Sequence, residues 1–592
     1  LGSALHAAGI HTAVVGNSTL PGEPHAEAAT IAMDRAGLVD LGDVDSPTLT
    51  IPDPHSAYGI RSDPDRLMHL VDRVLARSRF VVVDFGDTYR ADRYCEFCSE
   101  AMALRLRRSA VVRLDELIGR ICTRLDFDKD ALVLLSPSPR RWSEIENERL
   151  TPIVIRGPGF CGGMLTSPST RRQGLVTICD VAPTMLSFFG LRPPADMIGR
   201  PMESVPHKDA VEALLRLNLE ASLQAERQVA MRGSSVVQSI VVALVTLAVI
   251  CGGGRLRRAA AWTALTPVAI PLAMLYVPAL CSAGLAGTVA CIAALTSVLL
   301  AGPGLLLRSP MRAFMWLCGG IVFSVLVDLT RGAPLISRCV AGYSLVEGAR
   351  YYGLGNELMG TLLGATIMGT GAAAVRGFFK WIGAAVFPLV FFFIGWPRLG
   401  ADAGGAAAAA PAMAVALLGG RGRGQGRQTI GLALLAGLVG LTALFVVDAL
   451  KGGGAQSHIG RMVELLISGR VFQALNVVQR KVMLNLTLLG TSLWSRLLAL
   501  SVTGAALLYY HGRRRFGVNF LPQTEKAAAL GCCVGTLTAF AFNDSGVLAA
   551  AACSVFLWTR LVLGLAGGDG LTEATGRPNG DDAGTSDDGL LR

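Results

Sequence analysis

Charge is what this sequence has least of. Only 17% of its 592 residues are Asp, Glu, Lys or Arg, against 52% that are hydrophobic; a soluble protein carries nearer a quarter charged residues. That deficit excludes a wholly soluble chain. Histidine is scarcer still, eight in all, with none between His69 and His207. A disulfide framework is also missing. Of thirteen cysteines, Cys251, Cys281, Cys291, Cys318, Cys532, Cys533 and Cys553 lie in apolar runs, where Cys acts as a small hydrophobe, and residues 1–232 hold an odd five. Cys95 and Cys98 form a CxxC on a helical pattern with no second pair, which reads as packing rather than a zinc or redox site. The net charge of +10 does not indicate nucleic acid as a partner, because much of the excess Arg sits in short connections between apolar runs. A signal peptide is absent as well: Leu1 falls inside what reads as a helix, and the expectation is that the natural start lies upstream.

What is present divides in two. Residues 1–232 alternate helical and strand patterns. Thr12–Gly16, Phe80–Phe85, Ala131–Leu135 and Pro152–Ile155 read as buried strands, with Leu49–Ile51 a further candidate. Gly2–Ala8, Pro24–Arg35, Asp63–Arg77 with Ser62 as N-cap, Asp92–Leu125 with an interruption, and Val181–Gly190 read as helices. Apolar strands alternating with helices predict a mostly parallel sheet covered on both faces. The expected organisation is an α/β domain over 1–205, a helical linker over 206–234, an all-α membrane domain over 235–566, and a disordered acidic, Gly-rich tail over 567–592.

The membrane part reads as about eleven spans of roughly 20 residues each. They are 235–252, 259–281, 283–302, 312–329, 355–375, 380–396, 402–420, 428–449, 487–510, 525–543 and 546–566. Every second connection is short, basic and free of acid: Arg255, Arg257 and Arg258; Arg308 and Arg312; Arg376 and Lys380; Arg421, Arg423 and Arg427; Arg513, Arg514 and Arg515. The positive-inside rule puts these loops in the cytoplasm with the tail, and the α/β domain outside, in a multi-pass plasma-membrane protein. Residues 456–484 show an apolar stripe opposite Arg461, Glu464, Arg470, Arg480 and Lys481, the pattern of a helix lying in the interface plane.

Charged groups near membrane depth are costly and tend to be functional. Arg350, Asn356, Glu357, Asp402, His458, Arg461 and Asp544 all fall on the expected outer side, with Glu464 nearby. Gly353, Gly355, Gly360, Gly364, Gly404 and Gly405 accompany them and allow helices to approach closely around a cavity. For any one of these charges a loop ion pair is the plainer explanation. As a group they predict a shared outward-facing substrate-binding cavity, in which Glu357, Asp402 and Asp544 meet Arg350 and Arg461.

Several segments of residues 1–205 resemble the alkaline phosphatase superfamily. The closest are Leu150–Gly159, which holds a strand and a Pro-Gly turn, and Gly174–Thr184 with Asp180-Val-Ala-Pro-Thr184. The exit through Gly190, Leu191, Pro193 and Pro194, and the strands within Ala7–Asn17 and Phe80–Asp87, agree with it. The resemblance implies that fold and, in its active members, two divalent metals held by Asp and His around a Ser or Thr nucleophile. This chain departs from that pattern. Ser136-Pro-Ser-Pro139 stands where Asp-His is expected, no His follows Asp87, and Ser167–Arg172 stands in place of the final His. The nucleophile region is expected upstream of Leu1. The resemblance therefore implies a degenerate domain with no cofactor expected in this chain, unless sequence upstream supplies metal ligands. Asp84, Asp87 and Asp92 read as solvated or strand-end carboxylates, and His6, His11, His25, His55 and His69 as scattered.

Three functional readings follow. The first is an envelope protein acting on a phosphorylated or lipid-linked anionic substrate at the outer leaflet, with membrane lipid as partner; its layout resembles that of glycolipid-anchor ethanolamine-phosphate transferases. The second is a transporter or flippase with a regulatory soluble domain. The third is a glycan polymerase or ligase.

Overall fold

The computed structural model describes residues 1–139, 149–160, 162–194, 197–281, 284–346, 350–375, 381–419, scattered positions in 431–442, 471–517 and 520–566. The chain separates into two compact units, Leu1–Ser222 and Leu223–Arg592.

In the first unit, β1 (Thr12–Asn17) lies between β2 (Leu41–Asp43) and β5 (Phe80–Phe85), parallel to both. β1 is buried along its whole length, which is why it reads as a continuous apolar run rather than an alternation. Its residues still alternate between faces. Ala13 and Val15 pack with Leu67, Met68, Val71 and Val74 of α3 (Pro64–Leu75) and with Leu117 and Ile121 of α5 (Glu100–Cys122). Val14 packs on the other face with Leu5 of α1 (Gly2–Ala7) and with Met185 and Leu186 of α6 (Val181–Phe188).

The parallel sheet is smaller than the sequence suggests. Among the described residues it holds three strands, and the rest of the β structure is antiparallel. β3 (Thr50–Pro52) pairs with β4 (Ile60–Ser62), β6 (Leu132–Leu135) with β7 (Ile153–Arg156), and β8 (Gly163–Thr166) with β9 (Glu203–Pro206). Pro24–Arg35 shrinks to the single turn α2 (Ala29–Ala32), which ends where Met33 turns extended (φ −67°, ψ 149°). The N-cap of α3 is Asp63, which accepts the Asp65 and Arg66 N–H groups, while Ser62 ends β4. The interruption expected in 92–125 falls at Cys98 and Ser99, between α4 (Gly86–Tyr94) with its trailing 3₁₀ turn and α5. There the Ser99 hydroxyl caps α5 by accepting the Met102 N–H. Cys98 packs against the small cluster around Ala91, Leu106 and Ala110, and the Cys95 thiol donates to the Asp92 carbonyl at 2.8 Å.

The linker is the first part of an unbroken 42-residue helix, α7 (Ala210–Cys251). After it come α8 (Gly254–Thr263), α9 (Thr266–Leu280), α10 (Leu285–Leu307), α11 (Pro310–Thr330), α12 (Asn356–Val375), α13 (Ile382–Gly395) and α14 (Ala403–Leu418). Beyond residue 470 follow α15 (Val471–Thr491), α16 (Leu493–Phe516), α17 (Gln523–Phe542) and α18 (Gly546–Ala566). Among the described residues, eight helical stretches are long and apolar enough to cross a membrane. The spans expected at 380–396 and 402–420 correspond to helices of 14 and 16 residues, and 428–449 lies mostly outside the described residues. The ninth span begins at Leu493 rather than 487, because Ser492 ends α15 and caps α16 by accepting the Trp494 N–H at 3.2 Å. The interfacial helix expected over 456–484 is described from Val471, where α15 begins.

Glycine sets the spacing at the centre of the second unit. A Cβ on Gly360 of α12 would lie 2.1 Å from the Ala549 carbonyl of α18, so the two backbones touch only because that atom is missing.

Candidate functional site

The candidate site in the second unit is built by a backbone seam. Gly400 and Asp402 donate their N–H groups to the carbonyls of Phe393 (2.9 Å) and Ile394 (3.0 Å) at the end of α13. The turn this closes draws Asp402 into the protein, where it is 2% exposed. There Asp402 caps α14, its Oδ1 accepting the Gly405 N–H at 3.0 Å. Leu354 donates its N–H to the Gly400 carbonyl at 2.7 Å, which fastens the chain before α12 to the same turn. Gly353 makes this possible: its φ is +84° and a Cβ there would sit 2.2 Å from the Gly400 oxygen. The seam places Arg350 Nη2 3.7 Å from Asp402 Oδ1, with Nη1 donating to the Leu354 carbonyl.

Two asparagines are tied to each other beside the start of α14. Asn543, at the end of α17, is buried, and its Nδ2 donates to the Ala539 carbonyl at 3.2 Å. Its Oδ1 lies 2.9 Å from where Gly404 would carry a Cβ, which puts it against the first turn of α14. Asn485 of α15, also buried, donates Nδ2 to the carbonyls of Asn543 (3.3 Å) and Phe540 (3.4 Å). Among the described residues, Asp402 Oδ2 and Asn485 Oδ1 are buried without a hydrogen-bond partner.

The other expected members are distributed differently. Asn356 and Glu357 open α12, half-buried, next to the seam at Leu354. Asp544 makes a pairing that the sequence did not indicate. Its side chain is 60% exposed and pairs with Lys481 of α15 at 2.8 Å. Asn543 is anchored inward beside it, and Lys481 lies four residues before Asn485 on the same face of α15, so the lysine meets the aspartate one step further out. His458, Arg461 and Glu464 lie outside the described residues.

The first unit has its own candidate place. Parallel sheets bind ligands off the carboxyl ends of their strands, and β1 and β5 end side by side at Asn17 and Phe85. Asp84 lies there. Burial raises its carboxyl above the ordinary range, against the Ser18 hydroxyl and the charges of His25 and Arg90, which favour the ionised form. Asp87, in the first turn of α4, accepts the Ser62 N–H (2.8 Å) and hydroxyl (2.9 Å), Arg90 Nη2 (2.8 Å) and Arg113 Nε (2.7 Å). Burial alone would raise this carboxyl, but the Arg90, Ser62 and Arg113 interactions together leave it lowered. Asp92 pairs with Arg107. This donor set does not suit the two-metal centre the resemblance implies, since both Asp87 oxygens are already committed to arginines.

Two groupings were not foreseen. At the amino end of β1, His6 reaches Asp34 (3.3 Å) and Asp40 (3.0 Å), and His11 reaches Asp40 (3.3 Å). The Thr12 N–H, donated to Asp40 at 2.7 Å, is the main reason that carboxyl is held down to about 2. Histidines that look scattered in sequence thus clamp the start of the central strand. In the second unit, Glu525 of α17 and Arg560 of α18 form a buried pair. Its signal was available, because Arg560 interrupts an otherwise apolar span and an ionisable residue inside a span is a marked position.

The chain matches no family model, no curated protein and no solved structure.

Proposed function

We propose that this chain is an envelope membrane protein that handles a phosphorylated or lipid-linked anionic substrate at the outer leaflet. In this proposal the first unit is an alkaline phosphatase-like domain that has lost its metal chemistry. Arg350 carries the reading. A guanidinium has five N–H donors in a planar fork suited to phosphate and carboxylate. The Arg350 fork gives one donor to the Leu354 carbonyl and stands 3.7 Å from Asp402, beyond hydrogen-bonding distance, and its side chain remains 29% exposed. It is therefore positioned by backbone and carboxylate with donors to spare, beside the buried Asp402. Purified full-length protein is expected to bind a water-soluble short-chain prenyl phosphate saturably. Arg350→Ala should weaken that binding roughly tenfold to a hundredfold, the worth of about 1.5–3 kcal/mol for a hydrogen bond to a charged group. Equal affinity in wild type and variant would remove Arg350 from the site.

The reading also needs this end of the helices to face outward. An epitope inserted after Gly332, beyond α11, should be reached by antibody on intact spheroplasts, and one inserted after Gly253, between α7 and α8, should become accessible only on permeabilisation. The reverse pattern inverts the topology and places the Arg350 cluster in the cytoplasm.

A transporter or flippase is the second reading. It is favoured by Asp402 Oδ2, which has no hydrogen-bond partner among the described residues, since a buried carboxylate oxygen left bare is costly within a membrane unit unless something binds to it. Movement of the labelled prenyl phosphate across reconstituted vesicles, without its chemical change, separates the two.

A further inference from the structure

All three tyrosines of the first unit, Tyr58, Tyr89 and Tyr94, fall on one patch together with Phe97. Tyr58, in the 3₁₀ turn between β3 and β4, meets Tyr94 at the end of α4 with ring centroids 5.0 Å apart and planes at 72°. Phe97, in the 3₁₀ turn after α4, lies 6.4 Å from Tyr58 and 5.9 Å from Tyr94. Tyr89, earlier on α4, packs on the His25 ring at 4.3 Å. Burial lifts the Tyr58 phenol above its ordinary range. Arg93 opposes this, while Tyr89, Glu23 and Glu96 add to it, so these five side chains share one neighbourhood. Arg93 also pairs with Glu23 at 3.7 Å.

Packing explains only the floor of this patch. Tyr58 and Tyr94 cover a small cluster of Ala57, Ala91, Leu106 and Ala110. Phe97 covers little, being 68% exposed, so the three rings present an aromatic surface to solvent. Tyr58 is held there against its backbone. Its φ of +57° is left-handed, where a bulky residue is an outlier and glycine is the relaxed choice. Strain of this kind gathers at ligand clamps. Among the described residues none of the three phenol hydroxyls is hydrogen-bonded, so each has a donor and lone pairs to give.

We propose that this patch binds carbohydrate: a neutral pyranose unit of a glycan lies with its C–H face on Phe97 and Tyr58, and its hydroxyls reach the tyrosine O–H groups and the Glu23–Arg93 pair. The site belongs to the first unit and does not rest on the Arg350 reading.

The ring geometry selects the ligand. A cation caged by aromatics needs rings facing each other across it, with centroids up to roughly 12 Å apart, twice the reach of about 6 Å from cation to ring. Here the centroids are 5.0, 5.9 and 6.4 Å apart, so the rings touch one another. They leave no cage between them, and no groove for a Pro-rich or apolar peptide. The charges select as well. Glu23 offsets Arg93, and the exposed Glu96 stands next to Phe97 in sequence, so a phosphate or an acidic bilayer meets repulsion along with attraction. A pyranose suits both features. Its ring face is apolar and it carries no charge. Its rim hydroxyls donate and accept, which a carboxylate paired with a guanidinium can answer from both sides.

The test uses purified full-length protein in nanodiscs, with cellohexaose, maltohexaose, chitohexaose and an α-linked mannohexaose as probes. At least one should bind saturably at millimolar concentration or below, with NMR saturation transfer from the protein strongest at sugar ring C–H protons. Phe97→Ser should weaken that binding roughly tenfold or more, the loss of one stacked ring, and its exposure leaves the fold intact. Phe97→Trp should retain binding, and Arg93→Gln should weaken it severalfold. Leu38→Ser, at another exposed apolar residue of the first unit, should leave it unchanged. Failure of all four sugars to bind, or binding that survives Phe97→Ser, overturns the site. So does quenching of the Phe97→Trp indole by brominated lipid in the nanodisc, which would mean that this ring enters the bilayer.

Discussion

Asp87→Ala is expected to cost the first unit about 3–5 kcal/mol, enough to unfold it in many conditions, since whole domains are stable by only about 5–15 kcal/mol. The Asp87 and Arg90 side chains are each 1% exposed. One carboxylate gathers β4, α4 and α5 by accepting from Ser62, Arg90 and Arg113. Arg90 in turn donates to the carbonyls of Asn17 and Thr19 just beyond β1. Removing Asp87 leaves Arg90 buried with only carbonyl partners and the Ser62 hydroxyl. The cost is that of an uncompensated buried cation more than of lost bonds. The double change Asp87→Ala with Arg90→Met removes both charges and should be less damaging than Asp87→Ala alone. Pulse proteolysis of the full-length protein across a urea series, following fragments of the first unit, measures both. A single-variant loss below about 1 kcal/mol, or a double variant no better than the single, would mean the network is not what holds this corner together.

That network shows why the sequence was informative about some features and silent on others. Val14 and its neighbours announce a buried strand because burial on two faces demands apolar residues at consecutive positions, a constraint written locally. The basic connections likewise mark one end of the membrane helices within a few residues of each span. Asp87 carries no such mark. Its partners Ser62 and Arg113 are each about 25 residues away, and nothing in the local pattern distinguishes a carboxylate with two arginines from a solvated one. For the same reason 24–35 reads as a longer helix than α2, because the spacing does not register that the chain turns extended at Met33. In the candidate site, Arg350 and Asp402 were legible as costly charges beside glycine that are better placed together than apart, and they lie 3.7 Å from each other. The Leu354–Gly400 hydrogen bond that fastens their two segments is encoded by no periodicity. Asn485 and Asn543 were invisible as site members, since a neutral amide in an apolar helix raises no alarm. The pairing of Asp544 with Lys481 was equally silent, because adjacency to Asn543 says nothing about which of two neighbouring side chains turns inward.

The buried pair of Glu525 and Arg560 gives the second large effect, and it separates stability from function in the membrane unit. Glu525 stands in the first turn of α17 and Arg560 on α18, with side chains 2% and 9% exposed. Arg560 Nε donates to Glu525 Oε1 at 3.0 Å, and Nη2 reaches the same oxygen. Oε2 and Nη1 find no partner among the described residues, so the pair is joined on one side only. A pair with unmet atoms recovers little of its desolvation cost, whereas removing one member exposes the whole of it. Arg560→Ala and Glu525→Ala should therefore each destabilise the protein by about 3–5 kcal/mol, visible as a sharply lower thermal midpoint in detergent. The matched apolar replacement, Glu525→Leu with Arg560→Met, should restore the midpoint to wild type or lift it by about 1–4 kcal/mol, the range seen when buried ion pairs give way to packed side chains. If the double variant is as unstable as the two singles added together, the two charges act independently of each other and this account of the pair is wrong. If the midpoint is restored but prenyl phosphate binding at the Arg350–Asp402 end is lost, the pair is retained for function. A charge pair that is poor for stability and kept at one end of α17 would then be acting on Asn543 at the other end of the same helix.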